Sequence, residues 1–215
     1  MTIPMPLHPN ELEQQGFTRL ESLNHQELIP FVRRYLGKHT LPTVFYFVFN
    51  VVAFTGLLWM LFDRNAGDAG LGTRILFICY GFCISFLVIP LHEGIHVLAY
   101  RMCGAKQTSL AANWSKFYFI ALAHEFVADA RAFRFIALAP FVVISTLLLV
   151  PVVFGGLLTG LMFTGALFAH GSMCAGDFGL LGYFATHKDQ EILTYDDVEN
   201  GISYFYGRKR VNKVA

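Results

Sequence analysis

Between Phe135 and Gly176 the sequence runs for 42 residues without a formally charged side chain. As one α-helix that run would extend about 63 Å, twice the roughly 30 Å hydrocarbon core of a bilayer. It must therefore fold back once, and Pro151 with Gly155–Gly156 marks the expected turn. Leu41 to Phe62 is a second uncharged run, long enough to cross a bilayer on its own. A third runs from Ile75 to Leu91 and continues in pattern to Tyr100, after a loop holding Asp63, Arg64, Asn65 and Asp68. Composition agrees with this reading: 55% of residues are hydrophobic and 14% charged, against about 25% charged in soluble domains.

These runs predict an all-α integral membrane protein with about four transmembrane helices, near 41–62, 75–100, 130–152 and 157–186. They divide the chain into an N-terminal segment 1–40, a four-helix core 41–187 and a C-terminal tail 188–215. Lys and Arg number four before the first helix, two in the first loop, five between helices two and three, none in the next turn and five after helix four. That asymmetry places both termini and the 101–134 segment in the cytoplasm, and the absence of an organelle signal suggests the cytoplasmic (plasma) membrane. The first 40 residues hold Glu11, Glu13, Glu21 and Glu27 and no apolar core of a signal peptide. The bilayer is thus the expected surrounding partner. A net charge of +1 offers no basic field for nucleic acid, and none is expected as a partner.

Two smaller features interrupt the apolar pattern. Lys106 to Leu122 alternates in part around Asn113–Trp114–Ser115, which predicts a short β-hairpin at the membrane surface between helices two and three. Leu28, Phe31, Val32 and Tyr35 fall at i, i+3, i+4 and i+7, the face of a short amphipathic helix with Pro30 in its first turn. Cys79, Cys83, Cys103 and Cys174 form no CxxC pair and read as small buried residues.

The chemistry-bearing motif is His92–Glu93–Gly94–Ile95–His96, inside the second predicted helix. Residues four apart on a helix project from one face about 5–6 Å from each other. That suits two imidazoles reaching one zinc at about 2.0–2.1 Å. Glu93 lies between them in sequence and can act on the metal's water as general base without being a ligand. With eight His and eight Glu in the chain, composition alone would produce HExxH about 0.01 times. A carboxylate near the bilayer centre also costs about 2.5–3.5 kcal/mol on insertion scales, so it is not placed there idly. His124–Glu125 starts a similar pair, but Ala128 stands where a second ligand would be needed.

A catalytic zinc takes three protein ligands and keeps one position open. Asp177, the single charged residue between Arg134 and Lys188, is the expected third metal ligand with His92 and His96. Helices two and four run in the same direction in a four-span topology, so the three can meet at one depth, with Gly171, Gly176, Gly179 and Gly182 permitting close approach. His170, seven residues before Asp177, is either a catalytic helper that supports a ligand or polarises the substrate, or a competing ligand.

With HEGIH in one span and a glycine-flanked aspartate in a later one, the chain resembles the site-2-protease-like intramembrane zinc proteases. It resembles more closely the DUF3267-type zincin peptidases, through HEGIH at 92–96, ALAP at 137–140, GDFG at 176–179 and TYDDVENGISYFYG at 194–207. The resemblance implies one Zn2+ held by His92, His96 and Asp177, Glu93 as the catalytic carboxylate, and a membrane protein as substrate. The asparagine–proline element and the LDG of site-2 proteases are not in the matching positions, which leaves the oxyanion helper open. Two other readings remain: a structural metal site closed by His170 as fourth ligand, and a metal or proton transporter.

Overall fold

The computed structural model describes residues 8–63, 69–113 and 118–209. Its elements, in order, are β1 (Thr18–Asn24), α1 (Leu28–Leu36), α2 (Leu41–Phe62), α3 (Leu71–Met102), β2 (Thr108–Asn113), β3 (Tyr118–Ala123), β4 (Ala128–Asp129), α4 (Ala130–Phe154), α5 (Leu157–Met173), α6 (Ala175–Thr186), β5 (Gln190–Asp197) and β6 (Ile202–Lys209). The all-α expectation is overturned: two antiparallel sheets accompany the helices, one ordered β1-β6-β5-β4 and the other the β2-β3 hairpin. The first unites the predicted N-terminal segment and C-terminal tail, since β1 pairs with β6 from Thr18↔Gly207 to Asn24↔Ile202. Short β4 adds the segment between α3 and α4 to the same sheet. Aromatic and β-branched residues along Ile192–Tyr195 and Ile202–Tyr206 favour strand. One face of the sheet packs Leu193 and Tyr206 on Leu12 and Phe17. The other sets Phe205 against Phe31 and Tyr183, with ring centroids 5.6 and 4.5 Å apart.

Helices α2, α3 and α4 are long and apolar enough to cross a membrane. Their outward faces fit that solvent: Val52, Trp59, Leu87 and Phe154 are exposed. Four full spans are not found. The single helix expected over 157–186 is broken at Cys174 into α5 and α6, bent by 46°, so the spans number three, or four if the bent pair counts as one. Gly171, Ser172 and Gly176 flank the break, residues with little helix preference to resist it.

The expected approach of helix four to helix two occurs, but through other glycines. A Cβ at Gly81 of α3 would lie 2.0 Å from the Met162 carbonyl oxygen of α5, so only glycine fits this crossing. Gly171 faces Phe49 of α2, Gly179 and Gly182 face α1, and Gly176 has open space. Between α2 and α3 the buried Arg74 turns back, donating to the Leu61 carbonyl at 3.1 Å and to that of Asp63 at 2.6 Å. Those carbonyls belong to the end of α2, where intrahelical partners have run out. Arg64, Asn65 and Asp68 of this loop lie outside the described residues, as do Trp114 and Ser115 of the hairpin. The hairpin pairs Thr108↔Ala123 through Asn113↔Tyr118. Cys79 and Cys83, expected to be buried, are exposed on α3, whereas Cys174 is fully buried.

Candidate metal centre

The site is assembled by two helices. His92, Glu93 and His96 come from α3, two turns before its end, and Asp177 from the first turn of α6. The break at Cys174 is what aims Asp177: a straight helix would have carried it along the axis of α5. His92 Nε2 and His96 Nε2 lie 3.2 Å apart. Asp177 Oδ2 is 3.3 Å from the first and Oδ1 is 3.1 Å from the second. Zinc with bonds of about 2.0–2.1 Å has ligand–ligand edges of about 3.3 Å in a tetrahedron, so this donor set fits the ion. The histidines are buried, and with the carboxylate they offer two nitrogens and one oxygen to a dication once both imidazoles present lone pairs.

Each imidazole is oriented through its far nitrogen. His96 Nδ1 lies 2.9 Å from the carbonyl oxygen of Ile136 on α4 and donates to it, which leaves Nε2 free to bind metal. His92 Nδ1 lies 3.2 Å from His170 Nε2 on the last turn of α5. His170 and Asp177 therefore reach the same ring from opposite sides, His170 at Nδ1 and Asp177 at Nε2. Glu93 meets the backbone N–H of Ala121 on β3, while its Oε2 is buried without a hydrogen bond among the described residues. All four of His92, Glu93, His96 and Asp177 line a cavity of about 120 Å³ roofed by β3 and the edge of the four-stranded sheet. A larger apolar cavity of about 1050 Å³, lined by Phe47 of α2, Phe86 of α3 and Phe168 of α5, also reaches His92, Glu93 and His170.

His124 lies outside this cluster. Its Nδ1 accepts from the Val198 N–H at 3.3 Å, joining the hairpin base to the sheet. Two features of the small cavity were not anticipated. Tyr100 lines it, four residues after His96 and so on the same helix face; that spacing was available in the sequence. Asp196 and Ser203 line its far end. Ser203 Oγ donates to Asp196 Oδ1 at 2.6 Å and lies 3.0 Å from His25 Nε2. The Ala123 N–H donates to Asp196 Oδ2 at 3.2 Å. Asp196 and Ser203 are partners across one hairpin, but nothing local in the sequence joins His25 to them.

A His–His–Asp donor set beside a half-buried glutamate, held among apolar helices, has the composition of a hydrolytic zinc centre. Residues 85–192, half of the chain, match the model of the DUF3267 family, described as "Putative zincin peptidase", and the chain belongs to that family. The family implies a zinc metallopeptidase, and the matched span contains every residue of the candidate centre. Nothing matches among curated proteins or among solved structures.

Proposed function

We propose that the protein is a zinc-dependent endopeptidase of the HExxH, site-2-protease-like type, cleaving a membrane protein within or beside the bilayer. The observation that carries this reading is the convergence of His92 Nε2, His96 Nε2 and the two carboxylate oxygens of Asp177 at 3.1–3.3 Å, with Glu93 beside them in helices of membrane-spanning character. His92, His96 and Asp177 would hold one Zn2+. The ion would supply an acidified water and polarise the scissile carbonyl. Glu93 takes the proton of the attacking water on its carboxylate and delivers it to the leaving amide nitrogen. The Ala121 N–H at Glu93 fixes the carboxylate, and the Ile136 carbonyl fixes the tautomer of His96. His170 is a positioning residue that does the same for His92.

A substrate segment fits as a strand added beside β3, whose Ala121 backbone already points at the site. Proline substitution in β3 that left cleavage intact would remove that feature. The cytoplasmic placement of both termini is supported by the 14-to-2 excess of Lys and Arg on one side. It is also supported by the single sheet that joins chain segments before α2, between α3 and α4, and after α6. A structural site with His170 as fourth ligand is disfavoured, because His170 meets the ring nitrogen of His92 that points away from Asp177.

Zinc stoichiometry of detergent-purified protein tests the reading. One tightly held zinc in wild type and in Glu93→Gln, with binding much weakened in Asp177→Ala, is the expected result. No zinc in folded wild type supplied with metal would overturn it.

A further inference from the structure

The far side of His92 presents a second convergence of donors. His92 Nδ1 and His170 Nε2 are 3.2 Å apart, and Cys174 Sγ lies 3.9 Å from the same His170 nitrogen. The three side chains offer donor atoms all within 4.8 Å of one another. Each is buried, Cys174 and His170 almost completely. Around one ion with Zn–N bonds of about 2.0–2.1 Å and a Zn–S bond of about 2.3 Å, tetrahedral edges are about 3.3 Å between two nitrogens and 3.6 Å between nitrogen and sulfur. The first is met, the His170–Cys174 edge needs a shift of a few tenths of an ångström, and the His92–Cys174 edge, which lies within 4.8 Å, closes by movement of Cys174 at the helix break. Among the described residues His170 Nδ1 has no hydrogen-bond partner, so the buried ring is held only from the side where His92 and Cys174 converge.

We infer that His92, His170 and Cys174 form a second metal site, bridged to the first through the imidazole of His92. Its two nitrogens and one sulfur make a softer donor set than the two nitrogens and one oxygen of His92, His96 and Asp177, and suit zinc or copper(I). Metal entry releases two protons, one from the Cys174 thiol and one from His92 Nδ1, and the imidazolate of His92 then binds one ion through each nitrogen. Both histidines line the large apolar cavity. The His92–His170 hydrogen bond is lost when the site fills, so a second equivalent of metal acts on the orientation of His92 without touching Glu93.

Cobalt(II) titration of the full-length protein in detergent tests the site, because a thiolate ligand produces a near-ultraviolet charge-transfer band that a site of nitrogen and oxygen ligands lacks. Wild type is expected to take up two equivalents, the band growing with the second. In Asp177→Ala the band should accompany the tighter equivalent, and in Cys174→Ser it should vanish while the first equivalent remains. Wild type that saturates at one equivalent without the band overturns the second site, whatever the variants do. A band that survives in Cys174→Ser also overturns it. A wild type that binds only the band-bearing equivalent keeps this site and instead sinks the proposed peptidase centre.

Discussion

One cavity of about 120 Å³ carries two acid–imidazole clusters, and the chain builds them by opposite means. At one end His92, Glu93 and His96 lie within five residues of one helix, and Asp177 completes the group. At the other end Asp196 and Ser203 sit on paired strands, and His25 arrives from a segment about 170 residues away. In the helical cluster the side-chain nitrogens and carboxylate oxygens face one another at metal-bonding spacing. In the sheet cluster each contact is an ordinary hydrogen bond: Ser203 and the Ala123 N–H both donate to Asp196. Convergence of lone pairs calls for a cation, whereas alternating donors and acceptors are already satisfied. The first cluster is thus the one that the proposed reading assigns to chemistry, and the second holds the hairpin base and the sheet together above it.

The largest effect that could break this contrast is on chemistry. Glu93→Gln should lower turnover of a cleavable transmembrane peptide about 10²–10⁴-fold while zinc content stays at wild type; an Asp196→Ala variant as inactive as Glu93→Gln would show that the division of labour is wrong. Next in size is the support of His92. His170→Ala should weaken the first equivalent of zinc about 10–100-fold, as loss of a hydrogen-bond partner to a ligand does, and a competition titration with a chelator would detect it. In the sheet cluster the expected loss is of stability. Asp196→Ala leaves the Ala123 N–H and the Ser203 hydroxyl without their acceptor, at about 1–3 kcal/mol, with metal affinity unchanged. A calorimetric or fluorescence melt together with zinc analysis separates the two.

The same contrast accounts for what could be read in advance. The i, i+4 spacing of His92 and His96 is a property of a single helix, and a carboxylate isolated in an apolar run, Asp177, has few reasons to be there, so both were visible without coordinates. The apolar runs gave α2 and α4 nearly to their ends. The bend at Cys174 was not visible, because apolar composition continues straight through it and only packing decides that α5 and α6 diverge. The four-stranded sheet was missed for a related reason. Strands β5 and β6 bury residues on both faces, so their pattern lacks clean alternation, and β1 pairs with β6 from the other end of the chain. Asp196 is a site-lining residue only because of that pairing.

Adjacent carboxylates sharpen the comparison at its smallest scale. Burial pushes the Asp196 carboxyl above its ordinary value, against the pull of Ser203, the Ala123 N–H, His25 and His124. A raised value in the folded state means that the folded protein binds the proton more tightly than the unfolded chain. Its stabilising contribution is then fully present below about pH 4, the unfolded carboxyl value, and is lost as pH rises through the raised one. The stability of wild type minus that of Asp196→Asn should accordingly fall as pH increases from about 4, and a difference that rises instead would mean the carboxylate form is the favoured one. Asp197, on the solvent side of the same strand end, runs the other way. Hydrogen bonds from the side-chain amide and backbone N–H of Asn200 lower its value. Its contribution is present above about pH 4 and fades as pH falls through the lowered value. Because Asp197 is solvated and screened, Asp197→Asn should shift the melting profile only slightly, and only in acid. A larger effect from Asp197 than from Asp196 would mean that the turn, rather than the buried contact to the hairpin, anchors the sheet.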